Sequence, residues 1–139
     1  MEKLHLISAD TLFYQPLDHP KMLIDGILSN GLAILSGDSK IGKSWMVLWL
    51  CLKISRGEPV WGLPTAKTDV IYLALEDNDW RIQQRMQDLV DIPPDNLQFG
   101  FSCGKLGAEL EGQIKLALEE QPSTGLLFID TLQMVRDNV

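Results

Sequence analysis

Histidine, cysteine and positive charge are all scarce in this sequence, and each scarcity argues against a class of function. There are two histidines and two cysteines among 139 residues. Cys51 and Cys103 form no CxxC motif, and no histidine stands beside either. A zinc site or disulfide framework needs clustered ligands or paired spacings, so free thiols in a reducing cytosol are expected. His5 and His19 show no partner pattern and are assigned no role. Basic residues number 12 against 19 acidic ones, a formal net charge of −7. A chain with a broad DNA-phosphate-binding face carries the opposite balance. No apolar run reaches the roughly 20 residues of a membrane span. The opening MEKLHLISAD lacks the basic-then-apolar order of a secretory signal. The expected compartment is the cytoplasm.

What remains is a globular composition, 45% hydrophobic and 22% charged, with length enough for one buried core. Residues 1–31, with Pro16 and Pro20 and no clear period, read as a lead-in packed on the core that follows. Residues 32–139 read as that core. Leu32–Ser36 is a short apolar run ended by glycine, the pattern of a buried strand. From Gly42 to about Ile54 the chain reads as a helix that is apolar almost all round and therefore buried. Gly57 and Pro59 stop it. Asp69–Asp77, DVIYLALED, is a second apolar strand ending in acids. Asn78 or Asp79 can cap the next helix, which runs to about Val90. Leu97–Ser102 is a third strand. Leu106, Leu110, Ile114 and Leu118 recur every four residues and mark a third helix. Leu126–Asp130 is a fourth strand. Alternating helices and continuously apolar strands predict an α/β fold with a mostly parallel sheet covered on both faces. Ligands of such sheets bind beyond the strands' carboxyl ends, where Gly37, Glu76 and Asp130 all fall.

The loop Gly37, Asp38, Ser39, Lys40, Ile41, Gly42, Lys43, Ser44 matches G-x-x-x-x-G-K-[ST] in full, with a strand expected before it and a helix after. Backbone N–H groups of such a loop ring a phosphate, and glycine permits the backbone shapes this needs. The new helix adds its unpaired N–H groups and the positive end of its dipole. Lys43 can reach the β- and γ-phosphates of ATP, and the Ser44 hydroxyl can ligate Mg²⁺. Lys40 can touch phosphate from within the same loop. Asp130, ending LLFID, can hold the Mg²⁺ hydration shell. Hydrolysis also needs a group to orient or deprotonate water. Thr131 follows Asp130, so no second acid stands there, and Glu76 is the candidate, with Asp77 in reserve. Arg81 and Arg85 lie between the apolar positions of the second helix. Two rival readings share the loop: a small-molecule kinase, and a nucleotide-dependent binding module without catalysis.

GDSKIGKS, VIYLALED and LLFIDTLQMV, in this order and at these separations, resemble the RecA-like P-loop ATPases. MLIDGILSNGLAILSG and EDNDWRIQQRM are similar to the RepA-type, helicase-like branch found on plasmids and mobile elements. The resemblance covers roughly Leu23 to Val135. It implies a three-layer α/β/α core and Mg²⁺-dependent ATP hydrolysis coupled to work on DNA. It matches Lys43 and Ser44 to the phosphate and magnesium positions, Glu76 to the catalytic glutamate and Asp130 to the magnesium-shell aspartate. It also implies that a further strand, a sensor, DNA-contacting loops and an arginine finger follow Val139, so the sequence is expected to be a fragment. The implied partners are ATP, DNA for the complete protein, and further copies of the chain in a ring or a strand-complemented dimer.

Overall fold

The computed structural model describes residues 1–19, 21–38 and 41–136. Pro20, Ser39, Lys40 and the last three residues lie outside the described residues, and the expectations that fall on them go with them.

Helix α1, Ala9–Tyr14, buries none of its residues. Strands β1, Met22–Ile24, and β2, Leu28–Ser29, form a small antiparallel pair. Leu23 and Ile24 are buried. This pair is tied down by backbone bonds from Asp25 N–H to the Pro64 carbonyl and from Ala66 N–H to the Leu23 carbonyl, both 2.9 Å.

Helix α2 spans Lys43–Arg56. Its apolar residues face several directions, and Val47, Leu48, Leu50, Cys51, Leu52 and Ile54 are all buried. Gly42 caps its start at φ 91°, and Gly57 ends it at φ 69°. The Glu58 N–H closes back on the Lys53 carbonyl at 2.9 Å, satisfying a carbonyl that the helix end leaves orphaned. Both glycines occupy left-handed backbone that a side chain disfavours. Burial pushes the Cys51 thiol pKa well above its usual value, so it packs as a small hydrophobe.

Strands β3, Asp69–Ala74, β4, Leu97–Gly100, and β5, Thr124–Asp130, form one parallel sheet in the order β4-β3-β5. Helix α3, Asp79–Leu89, follows β3, and helix α4, Leu110–Glu120, precedes β5. Of the two candidate caps for α3 the fold uses Asn78, whose Oδ1 accepts from Arg81 N–H at 2.9 Å. Asp79 instead occupies the first turn, where a negative charge meets the helix dipole favourably. Side chains alternate across the sheet. Val70, Tyr72 and Ala74 turn one way and pack with α2 and Ile82 of α3. Ile71, Leu73 and Leu127 turn the other way, toward Leu110 and Ile114 of α4 across an apolar cleft of about 230 Å³. The alternating α/β order and the parallel sheet expected from the pattern are therefore present.

Two expectations are corrected. Leu32–Ser36 forms no strand: it pairs with nothing among the described residues, and Leu32 and Ile34 are 97% and 78% exposed. A strand exists only through a hydrogen-bonded neighbour. The edge nearest the loop is β5, which pairs with β3 alone among the described residues. The full three-layer arrangement implied by the resemblance is thus assembled only in part. The third helix begins at Leu110 and not at Leu106, which sits in the preceding turn. Glu111 explains that turn, since its Oε1 accepts from Gly107 N–H at 2.7 Å and holds the chain out of helix. This bond also lowers the Glu111 carboxyl pKa. Helix α5, Leu132–Val135, ends the described chain and buries Val135.

Candidate functional site

The site grows out of the sheet's alternation. Tyr72, Phe99 and Phe128 sit in register on adjacent strands. Their rings touch at centroid distances of 6.0 Å and 6.4 Å on either side of Tyr72. Asp130 lies two residues beyond Phe128, so it shares that face and meets the first turn of α2. There its Oδ2 accepts two hydrogen bonds, from Ser44 Oγ at 2.7 Å and from Tyr72 Oη at 2.9 Å. The last residue of the loop and the acid of β5, 86 positions apart in sequence, therefore meet at one oxygen.

Glu76 stands in the turn between β3 and α3. Its Oε1 accepts from Thr131 Oγ1 at 3.2 Å. The Leu75 N–H donates to the Asp130 carbonyl at 2.9 Å, tying that turn to the end of β5. The Asp130–Thr131 peptide is cis. Lys43 turns its ammonium onto the Gly37 carbonyl and so spans the loop it closes. The Ile41 side chain lies over Gly37, where a Cβ would meet it at 2.5 Å. Gly37, Asp38, Ile41, Gly42, Lys43 and Ser44 are described; Ser39 and Lys40 lie outside the described residues. Asp77, the reserve candidate, pairs with Arg85, whose Nη1 lies 2.8 Å from its Oδ2.

Two participants escape a reading by motif. Tyr72 is fully buried, and the signal for it was a phenol inside an otherwise apolar strand, whose hydroxyl must find a partner. Thr131 stands where a second acid was sought and instead donates to Glu76. Desolvation raises the Tyr72 phenol pKa first, and the Asp130 carboxylate beside it raises it further. A phenol held protonated in the fold stabilises it fully below the unfolded value, about 10. That contribution is lost as the pH climbs past this value, because the unfolded chain then ionises more readily. Tyr72→Phe should therefore lose less stability between about pH 9 and 11 than the parent, while losing about 1 kcal/mol near neutrality for the missing bond. Urea melts at several pH values check both.

A model of the AAA domain family matches residues 2–138. The chain belongs to that family. No curated protein and no solved structure matches it. Membership gives this AAA domain a nucleotide-binding, ATPase-type function in general terms. The match does not divide the family into branches, and the RepA-type assignment is finer than it reaches. No helix among the described residues is long and apolar enough to cross a membrane.

Magnesium, which such ATPases usually employ, suits the donors present. A hydroxyl and a carboxylate meet at Ser44 and Asp130, both hard oxygen ligands. Mg²⁺ bound with nucleotide takes one or two protein oxygens and fills its shell with water and phosphate.

Proposed function

We propose that this AAA domain binds ATP with Mg²⁺ across the Gly37–Ser44 loop and hydrolyses the β–γ phosphoanhydride. The observation that carries the reading is the Ser44–Asp130 hydrogen bond of 2.7 Å. It joins the end of a phosphate-loop motif to the acid of an apolar strand, with Glu76 one hydrogen bond away through Thr131. Backbone amides near Ile41 and Gly42 and the start of α2 receive the phosphates. Lys43 exchanges the Gly37 carbonyl for β- and γ-phosphate oxygens and offsets their charge. Ser44 and Asp130 would hold Mg²⁺, which would supply positive charge to offset that developing on the phosphates. Glu76 orients a water and accepts its proton as the water oxygen bonds to the γ-phosphorus. The bridging oxygen departs with ADP, which leaves phosphate as the second product.

The likeness of the motifs to the RepA-type branch extends this reading to work on DNA by a ring of copies. Phosphate release tests both parts. Release from ATP should require Mg²⁺ and vanish in chelator, and in a protein carrying the DNA-contacting loops that the resemblance implies it should rise when single-stranded DNA is added. Transfer to a small-molecule acceptor in place of water would overturn the hydrolase reading. Release indifferent to DNA in that protein would overturn the DNA-coupled part alone.

A further inference from the structure

Trp45 follows Ser44 in the first turn of α2. The guanidinium carbon of Arg85, on α3, lies 5.2 Å from the centroid of that indole. The same guanidinium donates through Nη1 to Asp77 Oδ2 at 2.8 Å. The Asp77 side chain is 6% exposed and that of Arg85 21%. Arg81 approaches the other Asp77 oxygen only at 3.8 Å and is largely in solvent. Asp77 adjoins Glu76, which Thr131 holds from the far side. Side-chain contacts thus join the phosphate-loop helix through Arg85 to Asp77, and join Glu76 to Thr131, whose chain neighbour Asp130 bonds Ser44.

We propose that Arg85 is a positioning residue for the reaction. By clamping Asp77 while stacking on Trp45, it fixes the turn after β3 so that Glu76 faces the phosphate loop. The proposal rests on the reading of Glu76 as the group that activates water. Backbone bonds hold this turn at its two ends, from Leu75 N–H to the Asp130 carbonyl at 2.9 Å and from Ile82 N–H to the Asn78 carbonyl at 3.1 Å, and hold its middle lightly. Between Glu76 and Asn78 the backbone donates one bond, from Asp77 N–H to the Ala74 carbonyl at 3.3 Å, which is long. A nearly buried carboxylate also demands its partner, because removing the cation leaves an uncompensated charge. A planar guanidinium can fork onto a carboxylate while lying over an indole face; an ammonium cannot do both. The clamp also accounts for the acid pair in this turn: Asp77 anchors it, while the exposed Glu76 accepts from Thr131 at the end of β5.

Hydrogen exchange and kinetics on Arg85→Gln, Arg85→Lys and the neutral pair Asp77→Asn/Arg85→Gln test this in the full chain. The neutral pair leaves no buried charge unpaired, so it keeps the test open should the single variant misfold. Amides 75–78 should exchange at least about tenfold faster in the folded variants, with the α2 amides unchanged. ATP affinity should stay within about threefold while kcat falls about tenfold or more, with Arg85→Lys between Gln and parent. Adding Arg85→Gln to Glu76→Gln should lower turnover no further, since Arg85 acts through Glu76. Unchanged exchange at 75–78, or kcat losses that multiply in that double variant, would overturn the clamp while leaving Glu76 in place. Full turnover in Glu76→Gln alone would overturn both.

Discussion

Lys43→Ala should bind ATP with Mg²⁺ about 30- to 150-fold more weakly than the parent, with its fold intact. The magnitude follows from charge-assisted bonds to phosphate, worth about 2–3 kcal/mol when lost. The fold should survive because, among the described residues, the Lys43 ammonium bonds only the Gly37 carbonyl of its own loop. The residues by which α2 is held, Val47, Leu48, Cys51 and their neighbours, begin a turn later and are untouched. Calorimetric titration and a thermal melt separate the two quantities. Equal affinity in both proteins would remove Lys43 from the phosphate site. A large loss of melting temperature would assign it a structural role instead.

Glu76→Gln should behave in the opposite way, keeping nucleotide and losing chemistry. The amide oxygen can still accept from Thr131 Oγ1, so the turn keeps its tie to the end of β5. The side chain is exposed and buries no charge that the substitution would strand. What it loses is the capacity to take a proton from water, and general-base catalysis contributes roughly 10²- to 10⁴-fold. Single-turnover phosphate release at saturating ATP should fall by that range with affinity nearly unchanged. The two variants together distinguish the rival readings. A binding module would be indifferent to Glu76→Gln, and a kinase would transfer phosphate to an acceptor more readily than to water.

Much of the α/β alternation was legible in the chain because local pattern dictated it. α2 is apolar almost all round and is buried accordingly; β3 and β5 are continuous apolar runs and sit in a parallel sheet. The same rule failed at Leu32–Ser36. An apolar run records that a segment needs covering, not that a neighbouring strand is there to cover it. Leu106 misled for a related reason, since a four-residue repeat of leucine does not reveal that Glu111 will hold Gly107 in a turn. At the site, the loop, the acids in the turn after β3 and the acid ending β5 were visible as motif and spacing. The links between them were not. Tyr72 reaches Asp130 across strands, Thr131 reaches Glu76, and Arg85 spans Trp45 and Asp77. Each pairs residues from different elements, which only the sheet order β4-β3-β5 and the packing of α2 and α3 bring together.

The most direct measurement is equilibrium binding of ATP, ADP and AMP to the parent chain, each with and without Mg²⁺. A pocket formed by main-chain amides, an ammonium and a hydroxyl–carboxylate pair recognises the polyphosphate tail. ATP and ADP should therefore bind with a clear gain from Mg²⁺, and AMP should bind far more weakly with none. Equal affinity for all three nucleotides, or no binding of ATP with Mg²⁺ at millimolar concentration, would contradict the assignment of Gly37–Ser44 as a phosphate site.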